Sequence, residues 1–129
     1  MINILISPVR GVRGEIPDST AYYILCSSAD LGIGPYPHVR TFHFLDTTEE
    51  SNPYRFKPVH AELILEFFRS LPDGADLFVC CDAGESRSAA VAAALMRAQG
   101  ESDEAIWASR DYVPNPYVYK ICCRTFGLE

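Results

Sequence analysis

Residues 81–88, Cys-Asp-Ala-Gly-Glu-Ser-Arg-Ser, place a thiol and a guanidinium six positions apart around a glycine. They follow the apolar run Leu77-Phe78-Val79-Cys80 and lead into an alanine-rich stretch from Ser88 to Gln99. A strand-to-helix turn of this kind aims successive backbone N–H groups at one point, at the positive end of the next helix. A dianionic phosphoryl group is its natural occupant. Gly84 permits positive φ at mid-loop and keeps a Cβ out of the phosphate's path. Arg87 can offer a fork to two phosphoryl oxygens. The same field lowers the pKa of Cys81, and a thiolate below a cradled phosphate is set for in-line attack. Ser88 can hydrogen-bond the sulfur and steady it as a leaving group. The expected binding set is therefore Asp82, Ala83, Gly84, Glu85, Ser86 and Arg87. Cys, Gly, Arg and Ser at these spacings arise by chance in roughly one chain in a thousand. The bland alternative is an ordinary turn with a buried Cys and a surface Arg.

Several elements must position this loop. Ile2 to Ile6, Ala21 to Cys26, Arg40 to Leu45 and Leu77 to Cys80 read as short strands, bounded by Ser, Pro, Gly or Asp. From Arg55 to Ser70 the apolar period changes to that of a helix, with Phe56, Val59, Leu63, Ile64, Phe67 and Phe68 on one face and Pro58 in the first turn. Gly100 stops the alanine-rich helix, Ser102-Asp103-Glu104 opens another, and a last one follows Pro114-Asn115-Pro116. Strands alternating with helices predict a small α/β three-layer sandwich with a mostly parallel central sheet of about four to five strands. The 129 residues fit a single domain, 1–129.

Composition narrows the partners. The net charge is −6 and no Lys/Arg run occurs, which disfavours nucleic acid. No apolar run is long enough to span a membrane, and Ile2 to Ile6 is too short for a signal segment. The odd count of five cysteines, with no C-x-x-C spacing, speaks against a disulfide framework or a structural zinc and for a reducing, cytoplasmic setting. Cys122 and Cys123 read as core. A monomer is expected.

Cys81 to Ser88 resembles the Cys-x5-Arg-Ser/Thr motif of the cysteine-dependent protein tyrosine phosphatase superfamily, in its small dual-specificity-like branch. Most of the chain is similar. Phe42-His43-Phe44-Leu45-Asp46 resembles the strand leading to that family's general-acid aspartate. Arg110-Asp111-Tyr112-Val113-Pro114-Asn115 is similar to the segment ending in Pro-Asn, whose Asn braces the phosphate loop. The resemblance implies a metal-independent, cofactor-free phosphatase working through a phosphocysteine on Cys81, with Arg87, Asp46 and Ser88 catalytic and Asn115 in support. Two features depart from the family: Cys80 stands where His usually precedes the nucleophile, and the loop carries Asp82 and Glu85. Carboxylates at the rim repel polyanions, so a phosphotyrosine or other phosphoprotein, or a small phosphomonoester, is the expected substrate.

Other residues carry weaker readings. Asp46 ends a strand and opens a polar segment able to move as a lid, although Asp is also common in strand-end turns. Glu49 and Glu50 are fallback acids. His38, His43 and His60 read as structural. Trp107, Tyr112, Tyr117 and Tyr119 read as anchors of the C-terminal helices. Two competing functions remain: a phosphate-reading binding module with weak catalysis, and a thiol oxidoreductase or arsenate reductase using Cys80 with Cys81.

Overall fold

In the computed structural model, which describes residues 1–128, β1 (Asn3–Pro8), β2 (Tyr22–Ser27), β3 (Val39–His43) and β4 (Asp76–Cys81) form one sheet in the order β1-β4-β2-β3. All three pairings are parallel. Strand β4 therefore lies between two neighbours, and its last residue, Cys81, sits level with Pro8 on one side and Cys26 on the other. That is the carboxyl edge of a parallel sheet, where open α/β folds place their ligands.

Strand residues alternate between two apolar layers, as the period of two requires. Ile24, Cys26, Leu77, Val79 and Cys81 face the larger layer; Tyr23, Leu25 and Cys80 face the smaller one. The larger layer is built by α2 (Pro58–Ser70), α3 (Arg87–Ala98) and α5 (Pro116–Thr125), with the short α4 (Glu104–Ala108) between the last two. Ala89, Ala90, Ala92, Ala93 and Ala94 are fully buried, so α3 lies close against the sheet without large side chains between them. The smaller layer comprises α1 (Val9–Val12), a 3₁₀ turn at Ile16–Asp18 and the loop before β3, which together bury Val9, Val12 and Ile16. The result is the expected three-layer arrangement, with unequal outer layers and four strands.

Three local expectations change. The first turn of α2 begins at Pro58, where the His60 ring accepts from the Lys57 N–H and the His60 N–H donates to the Lys57 carbonyl, both at 2.9 Å. Its buried residues are Ala61, Ile64, Leu65, Phe67 and Phe68, so Ile64, Phe67 and Phe68 lie inside as expected, whereas Val59 and Leu63, also expected inside, are exposed. Two apolar stripes compete on this helix, and the one that meets α5 and β3 wins. The helix after the phosphate loop starts at Arg87, so the arginine belongs to its first turn. The single-turn α1, closed by Val9 and Val12, is too short for a periodicity to reveal. No helix among the described residues is long and apolar enough to cross a membrane.

Candidate active site

Cys81 ends β4 with its side chain on the α3 side, and it is 2 % exposed. Ser88, fully buried in the first turn of α3, holds its hydroxyl oxygen 3.1 Å from the Cys81 sulfur. The Gly84 N–H donates to the same sulfur at 3.2 Å. Burial pushes the Cys81 thiol up, but the Ser88 hydroxyl and the backbone N–H groups of Ser88, Glu85 and Ser86 outweigh it, and the net pKa is lowered. The other four thiols move the opposite way. Burial pushes Cys80 up to about 12, and it raises Cys26, Cys122 and Cys123 as well. Cys81 is thus the one cysteine whose surroundings favour the thiolate.

Gly84 is needed for two reasons. Its φ is +70°, which side-chain-bearing residues rarely adopt. A Cβ there would also lie 2.5 Å from the Pro8 nitrogen. The obstacle is thus the end of β1, not a phosphate: the loop is pressed onto its neighbour strand.

Arg87 is almost fully buried, and its guanidinium is held from several sides. Nη1 donates to the Phe44 carbonyl at 2.8 Å and to the Ser28 hydroxyl at 3.0 Å. Nη2 donates to Asp82 Oδ2 at 2.8 Å. Nε is buried and has no acceptor within the chain, which is costly for a guanidinium. Asp82, expected at the rim and in the binding set, ion-pairs with the arginine of its own loop. Ala83 and Glu85 are exposed, and the Glu85 carbonyl accepts from the Val113 N–H at 2.9 Å.

Asp46 stands three residues beyond the end of β3, and one of its oxygens is fixed. Oδ1 accepts from the Ser86 hydroxyl at 2.9 Å and from Asn115 Nδ2 at 2.7 Å. The acid candidate is thereby tied to the phosphate loop itself. Asn115 is 4 % exposed and caps α5, accepting from the N–H groups of Tyr117 and Val118. Its own N–H donates to the Ser86 carbonyl at 3.2 Å. One residue therefore joins the acid segment, the phosphate loop and the last helix. A cavity of about 350 Å³ opens here, lined by Asp46, Glu49, Ser86, Val113 and Asn115 among others.

The remaining candidates lie elsewhere. Glu50 pairs with Lys120 on the surface at 3.8 Å, while Glu49 lines the cavity beside Asp46. His38 sits against the Ile16 carbonyl, and His60 accepts from the Lys57 N–H. His43 lines a second cleft of about 330 Å³ with Ser28, Phe44, Leu45 and Tyr54. This cleft adjoins the groups that hold Arg87. Trp107 is half-exposed and meets Tyr119 edge-on; both bond to Asp103. Cys80 faces the smaller layer, so it does not share a side of the sheet with Cys81; the thiol that does is Cys26. Sequence reasoning did not anticipate Ser28 or the Phe44 carbonyl. The available signal was positional, since both follow carboxyl ends of parallel strands.

No family model matches the chain, and no curated protein does. Solved structures do match. Human DUSP28, in a singly substituted form, superposes with a TM-score of 0.65 at 19 % identity, over 97 % of this chain and 90 % of that one. PTPMT1 in complex with PI(5)P gives 0.58 at 16 %, over 98 % and 91 %. Both belong to the dual-specificity group of cysteine-dependent tyrosine phosphatases. The fold is that of the dual-specificity phosphatases. Within this phosphatase fold, the strand-to-helix junction carrying Cys81 and Arg87 and the helix capped by Asn115 converge at one edge of the sheet.

Proposed function

We propose that the chain is a metal-independent phosphatase that cleaves phosphomonoesters, with phosphotyrosine or other phosphoprotein side chains as its substrates. The observation that carries this reading is the pairing of a thiolate-favouring Cys81 with a buried Arg87 whose Nε lacks an acceptor. The Cys81 thiolate attacks phosphorus; a P–S bond forms as the ester P–O bond breaks. The electron pair stays on the departing oxygen, which takes a proton from Asp46. Water then attacks the phosphocysteine, Asp46 accepts its proton, and the sulfur leaves as a thiolate steadied by Ser88. Loop N–H groups and Arg87 hold the three equatorial oxygens throughout. Asn115 keeps Asp46 against the loop. The exposed cleft with His43, Leu45 and Tyr54 suits the aryl or peptide body of such a substrate.

The test is hydrolysis of p-nitrophenyl phosphate in the presence of a metal chelator. Turnover should persist with the chelator, be inhibited by vanadate, and fall about a thousandfold in Cys81→Ser. Full activity in that variant, or a strict metal requirement, overturns the mechanism.

The Asp82–Arg87 pair favours a second reading, a phosphate-reading module that binds without turning over. Tight binding of a phosphotyrosine peptide with no phosphate released over hours would select it.

A further inference from the structure

The two acids in the phosphate loop have different surroundings. Glu85 is exposed, and no cation lies against its carboxylate among the described residues. Asp82 turns inward: its Oδ2 sits 2.8 Å from Arg87 Nη2 and faces the Ser28 N–H at 3.4 Å. The arginine cannot turn away from it. Its Nη1 is committed to Phe44 and Ser28, its side chain is 7 % exposed, and the guanidinium lies 5.9 Å from the centre of the Phe44 ring. The edge left for an oxyanion is Nε and Nη2, and half of that edge carries Asp82. The Asp82 side chain is 47 % exposed, so water replaces Arg87 and the Ser28 N–H as its partners when the carboxylate is displaced.

We propose that Asp82 is a specificity-determining residue, an internal competitor that contends with the phosphoryl group for Arg87 and selects against substrates bearing a second phosphate near the first. This rests on the phosphatase reading above and deepens it. A single phosphoryl group displaces the carboxylate with help from the loop amides and the otherwise unpartnered Nε. The displaced carboxylate then stands at the rim as an unpaired negative charge. A lone phosphate meets it only obliquely, because the rest of the substrate is neutral there. A second phosphate on the same ring or sugar meets it at close range and is repelled. The charge of Glu85, with no cation to compete for, acts only through solvent and is screened by salt.

The test is binding of inorganic phosphate by calorimetry to wild type, Asp82→Asn and, as a control for net charge, Glu62→Gln on the exposed face of α2, paired with kcat/KM for phenyl phosphate and for benzene-1,2-diyl bisphosphate. Asp82→Asn should bind phosphate about tenfold tighter, whereas Glu62→Gln shifts it by no more than about twofold. The kcat/KM ratio of bisphosphate to monophosphate should rise in Asp82→Asn by a further factor of about ten. Asp82→Ser, which removes the carboxylate and its amide substitute alike, should repeat both gains and so guards against a fault peculiar to Asn. If wild type binds phosphate and neither Asp82 variant binds it more tightly, Asp82 is no competitor and the phosphatase reading stands. If no protein in the set binds phosphate at millimolar concentration, the phosphate-loop reading itself falls, and this inference with it.

Discussion

The two segments that meet at the carboxyl edge of the sheet are held by different forces. The loop 81–88 is held by its own backbone. Gly84 presses on Pro8, Ser88 is fully buried, and loop N–H groups converge on one sulfur. The segment from Asp46 onward is exposed and is tied to the rest of the site by a few side-chain bonds, chiefly those from Ser86 and Asn115 to one carboxylate oxygen. A cradle built this way is rigid and costly to alter. An acid tethered this way can be released or re-formed with little effect on the fold. Phosphate binding and proton transfer should therefore be separable by mutation.

The sharpest separation is expected from Asp46→Asn. The amide keeps the shape and cannot donate the proton, so kcat should fall by about a hundredfold or more while phosphate affinity and unfolding free energy hold near wild type. Steady-state kinetics alongside urea denaturation decides it. An equal loss of stability would mean that Asp46 is a structural strut. The reverse separation is expected from Gly84→Ala. A Cβ 2.5 Å from the Pro8 nitrogen and a φ of +70° together should cost about 2–3 kcal/mol of stability and abolish oxyanion binding as the loop moves. A well-folded Gly84→Ala that still binds phosphate would show the loop to be softer than its packing suggests.

Asn115→Ala should blur the two. Loss of the α5 cap costs about 1 kcal/mol, and freeing Asp46 lowers kcat about tenfold. Asn115→Asp is the sharper companion, because it keeps the acceptor for the Tyr117 and Val118 N–H groups but sets a carboxylate against Asp46. It should restore most of the lost stability without recovering kcat. Recovery of both would mean that Asn115 serves the helix alone.

How much of this was legible in the sequence depends on how far apart the partners lie. Cys81, Gly84, Arg87 and Ser88 fall within eight residues, and the strand before them and the alanine run after them can be read locally. Asp46 was reached mainly, and Asn115 wholly, through a family resemblance, since they meet across 69 positions. Ser28 and the Phe44 carbonyl were invisible because their approach to Arg87 depends on strand order, across 59 and 43 positions. Asp82 was placed at the rim, where its side chain is 47 % exposed, but its ion pair with Arg87 was not foreseen, because an acid one residue past Cys81 can point away from the arginine or toward it. The outward faces of Val59 and Leu63 were lost for a related reason. A helix with two apolar stripes does not declare which one its neighbours will cover. Cys80 and Cys81 are adjacent in the chain, yet the pleat sends them to opposite layers.

The smallest effect lies where the acid segment is rooted in the core. His60, in the first turn of α2, stacks on Phe44 with ring centres 5.6 Å apart, and its Nδ1 accepts from the Lys57 N–H. Phe44 in turn gives its carbonyl to Arg87. Burial, and then the nearby Lys57, lower the His60 pKa below its ordinary 6.5. Between the lowered value and 6.5 the unfolded chain binds more proton than the folded one, so stability rises with pH across that window. The contribution is complete above the unfolded value and is lost as pH falls through it toward the folded one. Since the ring is only half-buried, solvent screening keeps the loss small. Urea midpoints for wild type and His60→Gln, followed from about pH 7.5 down into the acid range, measure it, because Gln keeps an acceptor near Lys57 and does not titrate. The wild-type midpoint should drop more than the variant's on acidification. Equal drops would remove His60 from the account and leave Phe44 held by packing alone.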